Sequence, residues 1–216
     1  MENYNFNEVR NCYNLVAKEY ADQFINELDG KPFDRDFLNR FRNNFDNNAK
    51  IIDMGTGSGH IAHYLYKLGL SNITGIDIAE KILEVAKINY PHLKFEHQSM
   101  FNTIFDNNSI DGIVSFYGIV HFTYKEIDRT IKEWKRILKP GGKAIFSFHI
   151  GEDNSLRVES FLDKENAKAT WNFFQFNTIV DILVKNEIQY DEVVVRYPYI
   201  NKEHPSQRCY IQFSKS

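Results

Sequence analysis

The sequence predicts a single α/β domain built on a doubly wound, mostly parallel sheet, and three observations carry that prediction. Lys50-Ile51-Ile52-Asp53 is a short apolar run ending in an acid. Three glycines in five positions follow it (Gly55, Gly57, Gly59), and then Ile61, Tyr64, Leu65 and Leu68 recur at helical spacing. From that strand, turn and helix onward, strand and helix patterns alternate to residue 149, as the crossovers of a parallel sheet require. The chain closes on two β-rich runs, 189–197 and 208–214, joined by a polar loop. Strands that close in sequence pair best antiparallel, with the last inserted into the sheet.

Taken in order, residues 1–48 read as a helical cap. Val9, Tyr13, Val16, Tyr20 and Phe24 recur every three or four positions and form one apolar face. After the break at Gly30-Lys31-Pro32, Phe33, Phe37, Phe41 and Phe45 form a second, joined by Leu38. Both stripes are compatible with simple docking on the domain and with a lid over a ligand. Residues 72–78 read as the second strand, again ending in an acid, and 80–90 as the next helix, stopped by Pro91. Strands are expected at 93–97 and 110–116 and a strongly periodic helix at 125–138. Pro140-Gly141-Gly142 then ends that helix before a fifth strand at 143–149. Residues 151–177 lose the alternation and read as an inserted loop, and 178–186 as a final helix.

Composition bounds the function. A chain of 216 residues supports one sizeable core, and 43% hydrophobic with 25% charged residues is ordinary for a folded protein. A net charge of -3 and a pI of about 6.2 provide no global basic field, so a nucleic-acid partner is not expected. The opening ten residues are polar, unlike a secretory signal, and no window approaches the roughly 18 apolar residues of a membrane span. A cytoplasmic location without a membrane partner is therefore expected. Cys12 and Cys209 form no C-x-x-C pair and read as free thiols in a reducing compartment.

The glycine spacing separates two ligand readings. A dinucleotide turn, G-x-G-x-x-G, would need glycine where this chain has His60. The pattern here is D-x-G-x-G-x-G, from Asp53 to Gly59. It resembles the first motif of the class I S-adenosylmethionine (SAM) methyltransferases. That resemblance implies a Rossmann-like, seven-stranded sheet with its last strand antiparallel, and SAM as cofactor with S-adenosylhomocysteine as product. It divides one domain into a cap (1–48), a SAM-binding core (49–150), the inserted segment (151–177) and a C-terminal helix with antiparallel strands (178–216). A tight αβ corner with no ligand is the plain alternative for the turn.

On that resemblance Asp53, Gly55, Thr56, Gly57 and Gly59 accommodate the methionine part of SAM, with the helix entered at His60 favouring its carboxylate. Asp77, 18 residues beyond Gly59, is placed to accept both ribose hydroxyls, with Ile78 and Ile82 beside it. Asp77-Ile78-Ala79-Glu80 also fits a helix capping box. The family's adenine-contacting acid falls on Ser99, a weaker acceptor, with Met100 over the ring. Ser115 and Tyr117 belong to the segment that lies beside the methionine part. Tyr13 and Tyr20 resemble lid tyrosines.

The segment 115–122 has neither the N-P-P-Y tetrapeptide of amino-group nucleic-acid methyltransferases nor the acid that holds magnesium in catechol-type enzymes, so no metal is expected. His60 and His63 lack a third ligand at a fitting distance. His121 and His149, at the expected C-terminal edges of strands, are candidate catalytic bases or simply shape the pocket. Tyr117, His149, Phe173, Arg196, Tyr199 and Arg208 are candidates for binding a small planar or anionic acceptor, or ordinary sheet edge with solvated charges. The expected reaction is in-line methyl transfer to a small molecule, by a monomer or a homodimer. A nicotinamide oxidoreductase, a methyltransferase of RNA or protein, and a non-catalytic SAM-binding protein are the rivals.

Overall fold

The computed structural model describes residues 5–216; positions 1–4 of the expected cap lie outside the described residues. Among the described residues nine strands form: β1 Lys50–Met54, β2 Asn72–Asp77, β3 Lys94–His97, β4 Ile110–Phe116, β5 Leu138–His149, β6 Ser155–Val158, β7 Ala169–Asn172, β8 Tyr190–Arg196 and β9 Arg208–Ser214. Seven of them make one sheet in the order β3-β2-β1-β4-β5-β9-β8. The first five are parallel, and β9 lies antiparallel between β5 and β8. The last strand is thus inserted into the sheet, as the closeness of the two β-rich runs predicts.

Alternation of side chains along β1 divides the core between two layers. Ile51 packs with Phe37 and Phe41 of α3 (Pro32–Arg42) and Leu65 of α4 (His60–Lys67). Ile52 packs on the other face with Trp134 of α6 (Tyr124–Ile137) and Leu183 of α7 (Phe176–Lys185). Trp134, Phe146 and Phe148 are fully buried there. Burial of each such ring contributes about 2–3 kcal/mol. Helix α6 is started by a reciprocal cap between Thr123 and Glu126, which contributes about 1 kcal/mol.

The chain reverses its winding direction between β1, which continues to β2 on one side, and β4 on the other. Open α/β sheets bind ligands at the carboxyl ends of their strands at such a point. Above it sit α1 (Phe6–Leu15) and α2 (Ala17–Phe24), which pack against α5 (Glu80–Asn89).

Three expectations need correction. The first apolar stripe belongs to two helices and not to one, because the backbone leaves helical geometry at Val16 (φ -100°, ψ 10°). The segment 151–177 is not wholly loop: β6 and β7 form an antiparallel ribbon with Leu156 opposite Trp171. Its burial against Cys12 and Val16 of the cap, through Ala167 and Ala169, overrides a locally polar pattern. Pro140-Gly141-Gly142 does not stand as a turn before β5. The helix already ends at Ile137, and the three residues form a bulge within the strand, where Gly141 takes φ 77°.

Candidate active site

A cavity of about 870 Å³ opens at the switch point, between the carboxyl ends of the parallel strands and the cap. Pockets for small organic ligands span roughly 300–1,000 Å³. Its floor is the turn after β1. Gly55, Gly57 and Gly59 all take positive φ (73°, 53° and 85°), the region open to glycine and strained for other residues. A Cβ on Gly59 would stand 2.7 Å from the Phe95 ring, so close helix–sheet packing also demands glycine there. A Cβ on Gly57 would stand 3.4 Å from the Tyr20 ring, so the bare turn is what keeps open the gap between floor and lid.

Two acids brace this turn. The Asp53 carboxylate accepts from the Thr56 hydroxyl at 2.6 Å, and burial pushes it up to about 6. Asp77 accepts the amide protons of Gly57 and Ala79, each at 3.0 Å. Burial raises its proton affinity, against the pull of those amides. The expected capping box does not form, because α5 begins at Glu80 with Ala79 as its cap. Asp77 instead joins the end of β2 to the glycine turn, leaving each oxygen a further acceptor position.

His60 opens α4 and meets Glu27 at 2.6 Å. Glu27 also receives Lys31 at 2.6 Å. Burial opposes the Glu27 charge, but these two neighbours hold it down to about 2. His63 stacks on Tyr90, away from His60's partners. Among the described residues no group of three metal-ligating side chains occurs.

His121 and His149 both line the cavity. Nδ1 of His121 lies 2.7 Å from the Thr170 carbonyl, which can only accept, so the proton is on Nδ1. Nε2 therefore accepts from the Tyr13 hydroxyl at 2.9 Å. Burial lowers His121 to about 4. His149 stacks on Tyr117, with ring centres 5.0 Å apart. Burial together with Arg208, His204 and Lys31 lowers it to about 3. Both imidazoles are weaker bases than the sequence expectation required.

Tyr13, Tyr20, Asp53, Gly55, Thr56, Gly57, His60, Asp77 and Ile78 line the cavity, and so do Ser99, Met100, Tyr117 and Arg208. Six other candidates do not. Gly59 packs behind the floor, and Ile82 is buried under it in the core between α2 and α5. Ser115 is buried, its hydroxyl donating to the Met54 carbonyl and tying β4 to β1. Phe173 packs on the outer sides of His149 and His204. Arg196 is spent on Asp34 at 2.8 Å and on a two-pronged pair with Glu203. Tyr199 lies under that guanidinium and accepts from the Phe33 amide. Glu27, Lys31, Phe161, Trp171 and Glu203 line the cavity without having been singled out. Glu27 and Lys31 come from the cap, Phe161 and Glu203 from the connections between strands, and Trp171 from β7.

Comparison with known proteins agrees with this geometry. The family described as a methyltransferase domain matches residues 51–142. The ubiquinone/menaquinone biosynthesis C-methyltransferase of Rickettsia bellii is 31% identical over 205 residues, covering 87% of this chain and 78% of that protein. The chain belongs to the class I SAM-dependent methyltransferases. A demethylmenaquinone methyltransferase of Chlorobaculum tepidum is similar to this methyltransferase family member at 28% identity over 142 residues, 63% of this chain. The chain spans 57% of that relative's length. A crystal structure of a SAM-dependent methyltransferase from Methanosarcina mazei superposes with a TM-score of 0.70 at 20% identity, over 80% of this chain and 95% of that one. At that identity the likeness concerns the fold. Among the described residues no helix is long and apolar enough to cross a membrane.

Proposed function

We propose that this methyltransferase moves the methyl group of SAM to a nucleophilic atom of a small planar molecule, by in-line displacement. The observation that carries the reading is the cavity itself, which joins a side-chain-free glycine turn to an aromatic chamber without a break. One end fits an adenosyl ligand. Gly55 and Gly57 leave room for the methionine part, Asp77 offers acceptor positions to the ribose, and Ile78, Ser99 and Met100 flank the adenine position. The end of α4 at His60 favours the carboxylate. The bound cofactor supplies an electrophilic methyl on a sulfonium; this chain supplies alignment and exclusion of water.

The other end, between Tyr117, His149, Phe161 and Trp171, suits a flat acceptor. The quinone substrates in the names of the two relatives support the same choice. Arg196 is already neutralised, so an acceptor recognised by two arginines loses support. Tyr13 and Tyr20 close the mouth, with His121 anchoring Tyr13. Two buried free cysteines suit a reducing cytoplasm.

The test is incubation with methyl-labelled SAM and a cell metabolite extract. The proposal expects label in small organic molecules together with S-adenosylhomocysteine. Label appearing only in RNA or protein would contradict it.

A further inference from the structure

Tyr117 follows β4 with φ 56°, a left-handed conformation that is strained for a bulky residue. The Ser147 carbonyl and hydroxyl hold it there by accepting from its amide, each at 3.2 Å. Its ring lines the cavity between the Lys31 ammonium, 5.4 Å from the ring centre, and the stacked imidazole of His149. The Tyr117 hydroxyl lies 3.0 Å from that of Tyr210 on β9. The Tyr210 hydroxyl in turn meets Arg196 at 2.7 Å and Asp34 at 3.0 Å.

With Asp34 ionised, the proton inventory of this chain has one solution. A guanidinium only donates, and an ionised carboxylate only accepts. Tyr210 therefore gives its proton to Asp34 and receives from Arg196, so its remaining lone pair takes the proton of Tyr117. The Tyr117 oxygen is left as an acceptor, at the head of a file that ends on a carboxylate 1% exposed.

Resting on the methyl-transfer reading, we infer that Tyr117 takes the proton released by the methyl acceptor's hydroxyl or amine and relays it through Tyr210 to Asp34. The balance closes within the reaction. The nucleophile–carbon bond forms as the carbon–sulfur bond breaks and its electron pair stays on sulfur. The acceptor's proton moves to the Tyr117 oxygen, that of Tyr117 to Tyr210, and that of Tyr210 to Asp34. After product release Asp34 returns it along the same file, through Tyr210 and Tyr117, to water in the cavity. The groups facing Asp34 are Lys31 at the start of α3, Arg196 on β8, Tyr210 on β9 and Glu203 in the loop between those strands. Burial and Glu203 raise its proton affinity against the two cations, as a proton sink needs. Tyr117 touches the acceptor; Tyr210 and Asp34 act through it.

Two readouts test this. In ligand-free protein carrying [ζ-¹³C]tyrosine, with Tyr117→Phe and Tyr210→Phe to assign the signals, Asp34→Asn is expected to move the resonances of both tyrosines. An unmoved Tyr117 signal overturns the relay. In the labelled-SAM assay with metabolite extract, Tyr210→Phe is expected to lower transfer by at least ~100-fold and to flatten the acidic limb of the pH profile, with S-adenosylhomocysteine affinity unchanged. Because Tyr210→Phe removes one oxygen and keeps the packing, it remains informative if Asp34→Asn unfolds. No transfer by the wild type overturns the methyl-transfer reading itself. Equal transfer by wild type and Tyr210→Phe overturns the relay alone.

Discussion

Tyr13, on the first cap helix, donates its hydroxyl proton to Nε2 of His121 at 2.9 Å, a direction that holds only while the imidazole is neutral. His121 is at the same time pinned through Nδ1 to Thr170 on β7. One ring thus fastens two separate pieces of the lid, α1 and the β6–β7 ribbon, to the end of β4.

That fastening predicts a pH dependence. The folded-state value of His121 is lowered to about 4 from its usual 6.5. The unfolded chain therefore binds more protons between these values, and this group's stability contribution is lost as pH falls from 6.5 toward 4. The loss is at most about 1.4 kcal/mol per pH unit. His149 acts with the same sign, whereas Asp53, raised to about 6, acts with the opposite one. Thermal melts of wild type and His121→Gln across pH 4–7 separate them. The difference between the curves is expected to shrink on acidification, and a constant difference refutes the neutral anchor.

The glycine turn makes a prediction that distinguishes stability from binding. Gly59→Ala forces a Cβ to 2.7 Å from Phe95 at φ 85°, so it is expected to destabilise the fold by more than about 2 kcal/mol. Gly57→Ala meets the Tyr20 ring at 3.4 Å and Ile82 at 3.8 Å, ordinary contacts, so its stability cost is expected to be about 1 kcal/mol. Its loss of S-adenosylhomocysteine affinity should be the larger effect. Denaturant melts and calorimetric titration of both variants check the ordering.

Glu203 predicts the strongest buried electrostatic effect. It is 1% exposed and balances Arg196 and Arg208 while accepting the Tyr199 amide. Glu203→Gln leaves two buried guanidinium groups short of countercharge, so a loss of about 3–5 kcal/mol is expected in urea unfolding. A loss below about 1 kcal/mol would show that water or a moved Asp34 replaces it.

Most of the fold was legible because its signals are local. β4 and β9 fall where their apolar runs do, and the inserted last strand follows from the short connection between two β-rich runs. The glycine turn was legible because its φ angles and close packing leave glycine little competition. The β6–β7 ribbon was not, since its burial depends on Cys12 and Val16, some 150 residues away in sequence. Arg196 was misplaced for a similar reason: no spacing shows that Asp34, 162 positions earlier, would neutralise it. Glu27 and Lys31 escaped notice because they are polar residues in the stretch between the two apolar stripes of the cap, outside both periodic patterns.

The proposed adenosyl site lies at the corner between β1 and β2 and holds its ligand through Asp77 and the bare turn. Calorimetric titration of wild type and Asp77→Ala with S-adenosylhomocysteine tests it most directly. One saturable site competed by SAM is expected, weakened at least ~100-fold in the variant while its far-ultraviolet spectrum is retained. Absence of binding to the wild type, or equal affinity in the two proteins, would contradict it.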